Sequence, residues 1–380
     1  MDKTVSNNTP KTRSATRVMF LSAGMITAAW ASIIPFVKYN VQISDGVIGG
    51  LLLCLGAGAL AGMPLAGICS DRFGCKPILI ASVMSFALLF LLIPLMPTVP
   101  ALAFVLFLFG MSIGLTDCAM NLQAVVVEKA SDKPLMSGFH GFYSLGGMVG
   151  ALVMTVQLSM DVPVLAACLV TSALVLALLL YSQNGLLRNA QSTSGPLIIM
   201  PRSVVVLIGV VCSILFLSEG TVLDWSGIYL AEFLHVDTSK AGLGVASFSI
   251  AMTIGRLTGD SIVSSLGPRK VINAGALTAI SGFLITLHTD MWQLALFGYA
   301  LIGFGCANIV PIMFSATGKQ DVMPESMAVT AVSTLGYAGV LAGPALVGFG
   351  AEISSLPVSL HAVVGLMIIA LLVSLKIRVQ

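Results

Sequence analysis

Hydrophobic side chains in this chain come in long unbroken runs, apolar on every side and separated by brief polar interruptions. A barrel strand alternates apolar and polar with period two, so the pattern excludes β-spans and predicts helices. Runs long enough to cross a bilayer, about 20 residues each, fall at 17–37, 47–69, 77–97, 101–127, 136–158, 162–182, 203–231, 241–263, 271–289, 291–317, 327–350 and 358–376. The expectation is an all-α membrane protein with twelve transmembrane helices. Two longer polar stretches frame them. Residues 1–16, with Asn, Thr, Ser and Lys, read as a disordered tail; residues 183–202, with Asn, Gly, Ser, Thr and Pro, read as a linker.

One polar stripe interrupts this pattern late in the fourth run. In Gly110-Met-Ser-Ile-Gly114-Leu-Thr-Asp117-Cys-Ala-Met-Asn121-Leu-Gln123, helical spacing puts Gly110, Gly114, Asp117 and Asn121 on one face. A carboxyl midway along a membrane helix costs at least ~2.5–3.5 kcal/mol unless it meets a partner or a wet cavity. Asp117 is therefore read as a protonatable site near the midplane; the alternative is a structural carboxyl bonded to a neighbouring helix. Asn121, one turn on, fits either a solute hydroxyl or a facing helix.

Composition sharpens this reading. Charged residues make up 9% of the chain against 57% hydrophobic, and mean hydropathy is +1.02, which excludes a soluble domain. Twelve spans put both termini on one side. That side, with its span edges, carries sixteen basic residues: Lys3, Lys11, Arg13, Arg17, Arg72, Lys76, Lys129, Lys133, Arg188, Arg202, Arg256, Arg269, Lys270, Lys319, Lys376 and Arg378. The other side has only Lys38 and Lys240, beside Asp45, Asp161, Glu232, Asp237, Asp290 and Glu352. This bias predicts a multi-pass protein of a bacterial-type inner membrane with cytoplasmic termini. A net charge of +2 without a basic cluster gives no reason to expect a nucleic-acid partner. The seven cysteines offer neither a disulfide framework nor a metal-ligand spacing. The first run is too long for a signal-peptide core and reads as an uncleaved helix.

Landmarks recur at about half the chain length. Asp71 and Asp260 stand 189 apart, Gly74 and Gly267 stand 193 apart, and Gly146/Gly150 recur 193 later as Gly339/Gly343. Gly114-x-x-Asp117 matches Gly305-x-x-Asn308 at 191. These repeats predict two pseudo-symmetric six-helix bundles, residues 17–182 and 203–380, joined by the 183–202 linker. In the short turn after the second run, Gly74 is expected to tolerate a positive φ.

Twelve spans in two halves, with Gly67-x-x-x-Asp71-Arg72-x-Gly74-x-Lys76 after the second, resemble the major facilitator superfamily of secondary transporters over residues 17–376. The resemblance implies the major facilitator fold. It also implies that Asp71, Arg72 and Lys76, with Asp260, Arg269 and Lys270, form an inner gate; inward-facing positive charge alone would explain the basic residues but not Asp71. Asp117-x-Ala-x-Asn121 is similar to the acid-x-Ala-x-Asn of the L-fucose permease branch, whose acid is implicated in proton coupling. That branch also carries a first-helix aspartate shortly before a proline. Here Ala31-Ser-Ile-Ile-Pro35 lacks it, so neither fucose nor a two-acid scheme follows.

Further candidates follow from position. Glu219 lies past the middle of the seventh span and is read as a second cavity-lining acid, whereas Asp224 and Trp225 lie nearer the outer surface and fit a gate or the interface. His140, with Tyr143 and Ser144 on its face, fits a proton relay, a solute ligand or a packing histidine. Asn308, taken as the repeat mate of Asp117, and Trp30 in the first span complete the expected solute set with Asn121 and Tyr143. There is no HExxH, P-loop or Ser/His/Asp grouping, so no enzyme, no metal and no cofactor is expected beyond the proton as coupling ion. Lipid and a small solute are the expected partners, with no obligate protein partner. The expected function is proton-coupled transport of a sugar, polyol or related metabolite. The runner-up is a proton-antiport exporter of drugs or amphipathic metabolites. It is disfavoured because the fifth-span stretch Gly146-Gly147-Met-Val-Gly150-Ala151 lacks the Gly-Pro usual in drug antiporters. A membrane enzyme or sensor is a distant third.

Overall fold

Lipid offers a backbone amide no partner, so an apolar run must close its hydrogen bonds within itself, and a helix does this locally. The computed structural model describes residues 8–43, 45–188, 200–236 and 242–379, and every regular element among them is helical. The α-helices are, in order, α1 (Pro10–Val41), α2 (Asp45–Phe73), α3 (Cys75–Leu92), α4 (Val99–Lys129), α5 (Met136–Ser159), α6 (Val164–Ser182), α7 (Val204–Glu232), α8 (Leu243–Leu266), α9 (Pro268–His288), α10 (Trp292–Cys306), α11 (Ile309–Lys319), α12 (Glu325–Ile353) and α13 (Leu356–Ser374). Counting α10 and α11 as one broken span, eleven spans are long and apolar enough to cross a bilayer. The 24-residue α8 is also long enough, although Arg256, Asp260 and its hydroxyl residues lower its hydropathy. It brings the number of spans among the described residues to twelve. Residues 1–7 of the expected tail, 189–199 of the linker, and Asp237 and Lys240 lie outside the described residues.

Three local features depart from or refine the sequence reading. The expected tail is already helical from Pro10, because Thr9 and Thr12 cap the helix reciprocally: the Thr9 N–H donates to Thr12 Oγ1 at 2.8 Å, and the Thr12 N–H donates to Thr9 Oγ1 at 3.1 Å. The tenth span is split at Ala307–Asn308. Pro311, four residues after Ala307, has no N–H to give its carbonyl, and its ring crowds that carbonyl. Gly74 and Gly267 precede α3 and α9 with φ of +83° and +82°, the conformation expected of the first and repeated in the second.

The helices group into two units. One comprises residues 1–132, 142–200 and 324–330; the other comprises 133–141, 201–323 and 331–380. In the first, α2 and α4 share a seam with almost no side chain in it: a Cβ on Gly110 would stand 1.9 Å from the Leu55 carbonyl oxygen, and one on Gly114 would stand 2.2 Å from that of Ala59. Small residues here let backbones touch. In the second unit Gly303 of α10 meets the Phe248 carbonyl of α8 in the same way, at 2.2 Å. Likewise Gly146 and Gly150 of α5 rest on Leu21 and Met25 of α1, while Gly339 and Gly343 of α12 rest on Ser213 and Leu217 of α7.

These matched seams set the register of the internal repeat. Gly110 and Gly303 stand 193 apart, and so do their partners Leu55 and Phe248. At that register Asp117 corresponds to Val310, and Asn308 corresponds to Leu115. The expected pairing of Asp117 with Asn308 is therefore corrected: a four-residue motif slipped by two positions, whereas backbone contact tolerates no slip. By the same register Asp260 is the counterpart of Gly67, one helical turn from the position matching Asp71.

Candidate functional site

In the first unit the glycine half of the α4 stripe is consumed by the α2 seam, and the polar half follows directly. Asp117 is half-buried. The Asn121 side-chain amide donates to the Asp117 backbone carbonyl at 2.9 Å and reaches Asp117 Oδ1 at 3.4 Å. No basic group lies within ion-pair distance of Asp117 among the described residues. Asn121 is 1% exposed, and its Oδ1 has no hydrogen-bond partner among the described residues. A carboxyl and an acceptor oxygen thus sit together deep in α4 without a fixed cation.

Gln123 lies two residues further along α4. It is fully buried; its Nε2 donates to Thr16 Oγ1 at 3.0 Å, and its Oε1 accepts the Leu187 N–H at 3.1 Å. It ties α1, α4 and the start of the linker together, and the Leu187 carbonyl in turn accepts the Lys76 N–H at 2.8 Å. Trp30, expected to meet solute, is buried at 6% exposure, edge-on to Phe109 with ring centroids 6.3 Å apart. Tyr143 is half-buried, and its carbonyl lies over Gly24.

The residues expected at the inner gate separate into two groups. Asp71 Oδ1 accepts the Ser326 hydroxyl at 3.2 Å, and Asp260 Oδ1 accepts the Gly138 N–H at 3.0 Å. Each carboxylate therefore sits in the first turn of another helix, α12 or α5, where backbone N–H groups lack partners and the helix dipole favours a negative charge. Lys129 pairs with Glu325 in that same first turn of α12. Arg72 lies 5.3 Å over the Phe73 ring at the exposed end of α2, and Lys76 is half-buried in the first turn of α3. Arg269 does not belong with them. Its guanidinium donates to the carbonyls of Ser374, at 2.7 Å, and Ile377, closing the carbonyl end of α13. In this structure Arg269 serves as a helix cap.

The second unit holds the larger surprise. Glu219 carries a partner: Arg256 Nη2 lies 3.4 Å from Glu219 Oε1 and 3.3 Å from Oε2, with side-chain exposures of 8% for Arg256 and 13% for Glu219. α8 continues to Leu266, so the Arg256 charge lies about 15 Å along the axis from that end and not at a span edge as its place in the sequence suggests. Each charge alone at that depth costs at least ~2.5–3.5 kcal/mol, and removing one partner of a buried pair costs ~3–5 kcal/mol. The signal available in the sequence was a basic residue ten positions inside the end of one membrane-length helical run.

The split of the tenth span lies beside this pair. Asn308 immediately precedes α11 without capping it through its side chain, is 5% exposed, and donates from Nδ2 to the Gly255 carbonyl at 3.1 Å. Its Oδ1 has no hydrogen-bond partner among the described residues, and a Cβ on Gly259 would stand 1.9 Å from that oxygen. Gly255 and Gly259 thus flank Arg256 and bring α8 against the break. His140 is 8% exposed and tilted against Phe314, with ring centroids 5.7 Å apart. Asp224 is exposed.

A sequence model described as the Major Facilitator Superfamily matches residues 18–225. The chain is 43% identical over 350 residues to an uncharacterized MFS-type transporter of Yersinia pestis, covering 92% of this chain and 91% of that one. Among solved structures it is similar to a bacterial homologue of the iron transporter ferroportin in an outward-facing state, with TM-score 0.77 and 13% identity over 96% of this chain and 98% of the other. It is also similar to the Escherichia coli fucose:proton symporter FucP, with TM-score 0.72 and 15% identity over 96% and 98% of the two chains. At such identities the structural likeness speaks for the fold alone.

Proposed function

The chain belongs to the Major Facilitator Superfamily, and on that premise we propose that it is a proton-coupled secondary transporter of a small polar solute. The observation that carries the coupling is Asp117, a half-buried carboxyl deep in a membrane helix with no cationic partner among the described residues. A carboxyl so placed exchanges a proton more readily than one locked in an ion pair. Asn121, with an unpartnered buried oxygen one turn away, supplies a neighbouring group for solute hydroxyls. The acid-x-Ala-x-Asn spacing supports a place near the L-fucose permease branch, and with it a sugar-like or polyol-like solute.

The same reading takes residues 17–182 and 203–380 as the two halves and 183–202 as their linker. With Arg256 removed from the charge count, fifteen basic residues against two still favour cytoplasmic termini and the inner membrane. Asp71 and Asp260, each holding the first turn of another helix, are the gate residues this reading retains. Asp117→Asn in proteoliposomes is the test. The variant should exchange labelled solute across the membrane but fail to accumulate it against a gradient when a proton gradient is imposed. Accumulation equal to that of the unaltered protein would refute coupling at Asp117.

A further inference from the structure

Two of the chain's four histidines meet at one end of the second unit. His288 closes α9 and His361 lies in the second turn of α13; both are exposed, and their ring centroids stand 5.2 Å apart with the planes at 84°. We propose that they form a site for a divalent transition-metal ion, Zn²⁺ above all, that clasps the end of α9 to the start of α13. The inference goes beyond the transporter reading and does not rest on it.

The hydrogen bonds decide which ring nitrogen can take a metal. His288 Nδ1 stands 2.9 Å from the Leu284 carbonyl, and His361 Nδ1 stands 2.7 Å from that of Pro357, each one turn back in its own helix. A carbonyl oxygen only accepts, so Nδ1 carries the hydrogen in both rings. In a neutral imidazole this leaves the lone pair on Nε2. A backbone carbonyl on the other nitrogen is also the usual outer support of a metal-bound histidine. Both rings are thus held in one tautomer by their own backbone, each with a ligand atom to offer.

The spacing fits one shared ion. A zinc–nitrogen bond of ~2.0–2.1 Å puts the metal ~3.2 Å from each ring centre, and two rings at the tetrahedral angle then stand ~5.2 Å apart. The observed separation agrees. Edge-to-face packing alone accounts for the contact but does not require both Nδ1 atoms to turn to the backbone. Among the described residues no third His, Cys, Asp or Glu joins the pair, so water completes the coordination and the ion exchanges readily. Imidazole ligands select Zn²⁺, Ni²⁺ or Cu²⁺ over Mg²⁺ and Ca²⁺, which take oxygen ligands.

The test uses the full-length protein in nanodiscs, without a histidine tag and stripped of metal by a chelator. Zn²⁺ should raise its melting temperature in a saturable way, and Mg²⁺ at the same concentrations should not. His288→Gln and His361→Gln should each melt at the parent temperature without metal, because both side chains are exposed. Each should weaken zinc binding by tenfold or more, at least what losing an outer support of a ligand costs. His235→Gln, which removes an exposed histidine outside the pair, should leave binding unchanged. His361→Cys, which supplies another zinc ligand, should recover part of the affinity that His361→Gln loses. Cu²⁺ gives a readout that general stabilisation does not move: its electron paramagnetic resonance spectrum should show two imidazole nitrogens in the parent and one in either glutamine variant. The proposal is overturned if Zn²⁺ gives no shift, if the shift survives both glutamine substitutions together, or if the parent's copper spectrum shows a single imidazole.

Discussion

Two polar residues a few positions apart on α4 have opposite relations to their surroundings. Gln123 has both ends of its amide engaged, by Thr16 and by the Leu187 N–H, and serves as a brace. Asp117 is held only by the neighbouring Asn121 amide among the described residues and is free to change protonation without breaking a helix contact. Gln123→Leu should therefore leave two polar groups stranded and lower stability by ~1–3 kcal/mol for each one left buried. The expected result is a lower melting temperature, by differential scanning fluorimetry, with coupling per folded molecule unchanged. A melting temperature equal to that of the parent would show that the two bonds contribute nothing. Asp117→Asn should show the reverse pattern, with stability kept and coupling lost.

At the scale of elements, helix pairs here are joined where side chains are missing. Gly110 touches a carbonyl oxygen of α2, whereas Gly365 of α13 has open space where its Cβ would be. Gly110→Ala should cost ~1–3 kcal/mol through overpacking against a backbone that cannot swing away. Gly365→Ala should be neutral or gain up to ~1 kcal/mol from helix propensity. Chemical denaturation of the two variants side by side checks this; equal stabilities would mean the seam is looser than the geometry states. Pro311 acts at the same scale by breaking one span into two. Pro311→Ala gives the Ala307 carbonyl its missing donor. Amide exchange across residues 307–312 should then slow, and Asn308 should be drawn from the Gly255 carbonyl.

For the whole molecule, coupling is a matter of net charge moved. A neutral solute entering with one proton carries one positive charge inward. Accumulation should then follow the pH gradient, about tenfold per pH unit, and gain ~2.3 kcal/mol for each 100 mV, roughly fiftyfold. Uptake into proteoliposomes under separately imposed gradients checks both; indifference to potential at constant pH would contradict a neutral solute moving with a single proton.

The apolar runs, the positive-φ glycines and the Asp117–Asn121 pair were legible from order along the chain, because each depends on residues within a few turns of one another or on a requirement set by lipid. Helix existence in a bilayer is a local property, and so is helical facing. What the linear order could not settle was which side chain meets which across the packed helices. Glu219 and Arg256 are 37 residues apart, and Arg269 and the carbonyl it caps are 105 apart. A basic residue beside a span end and one in its middle look alike until the helix's end is known. The repeat register, the capping role of Arg269 and the buried pair at the heart of the second unit were all decided by tertiary packing, since only close contact between backbones discriminates positions two residues apart and only a folded interior makes a lone charge choose its partner.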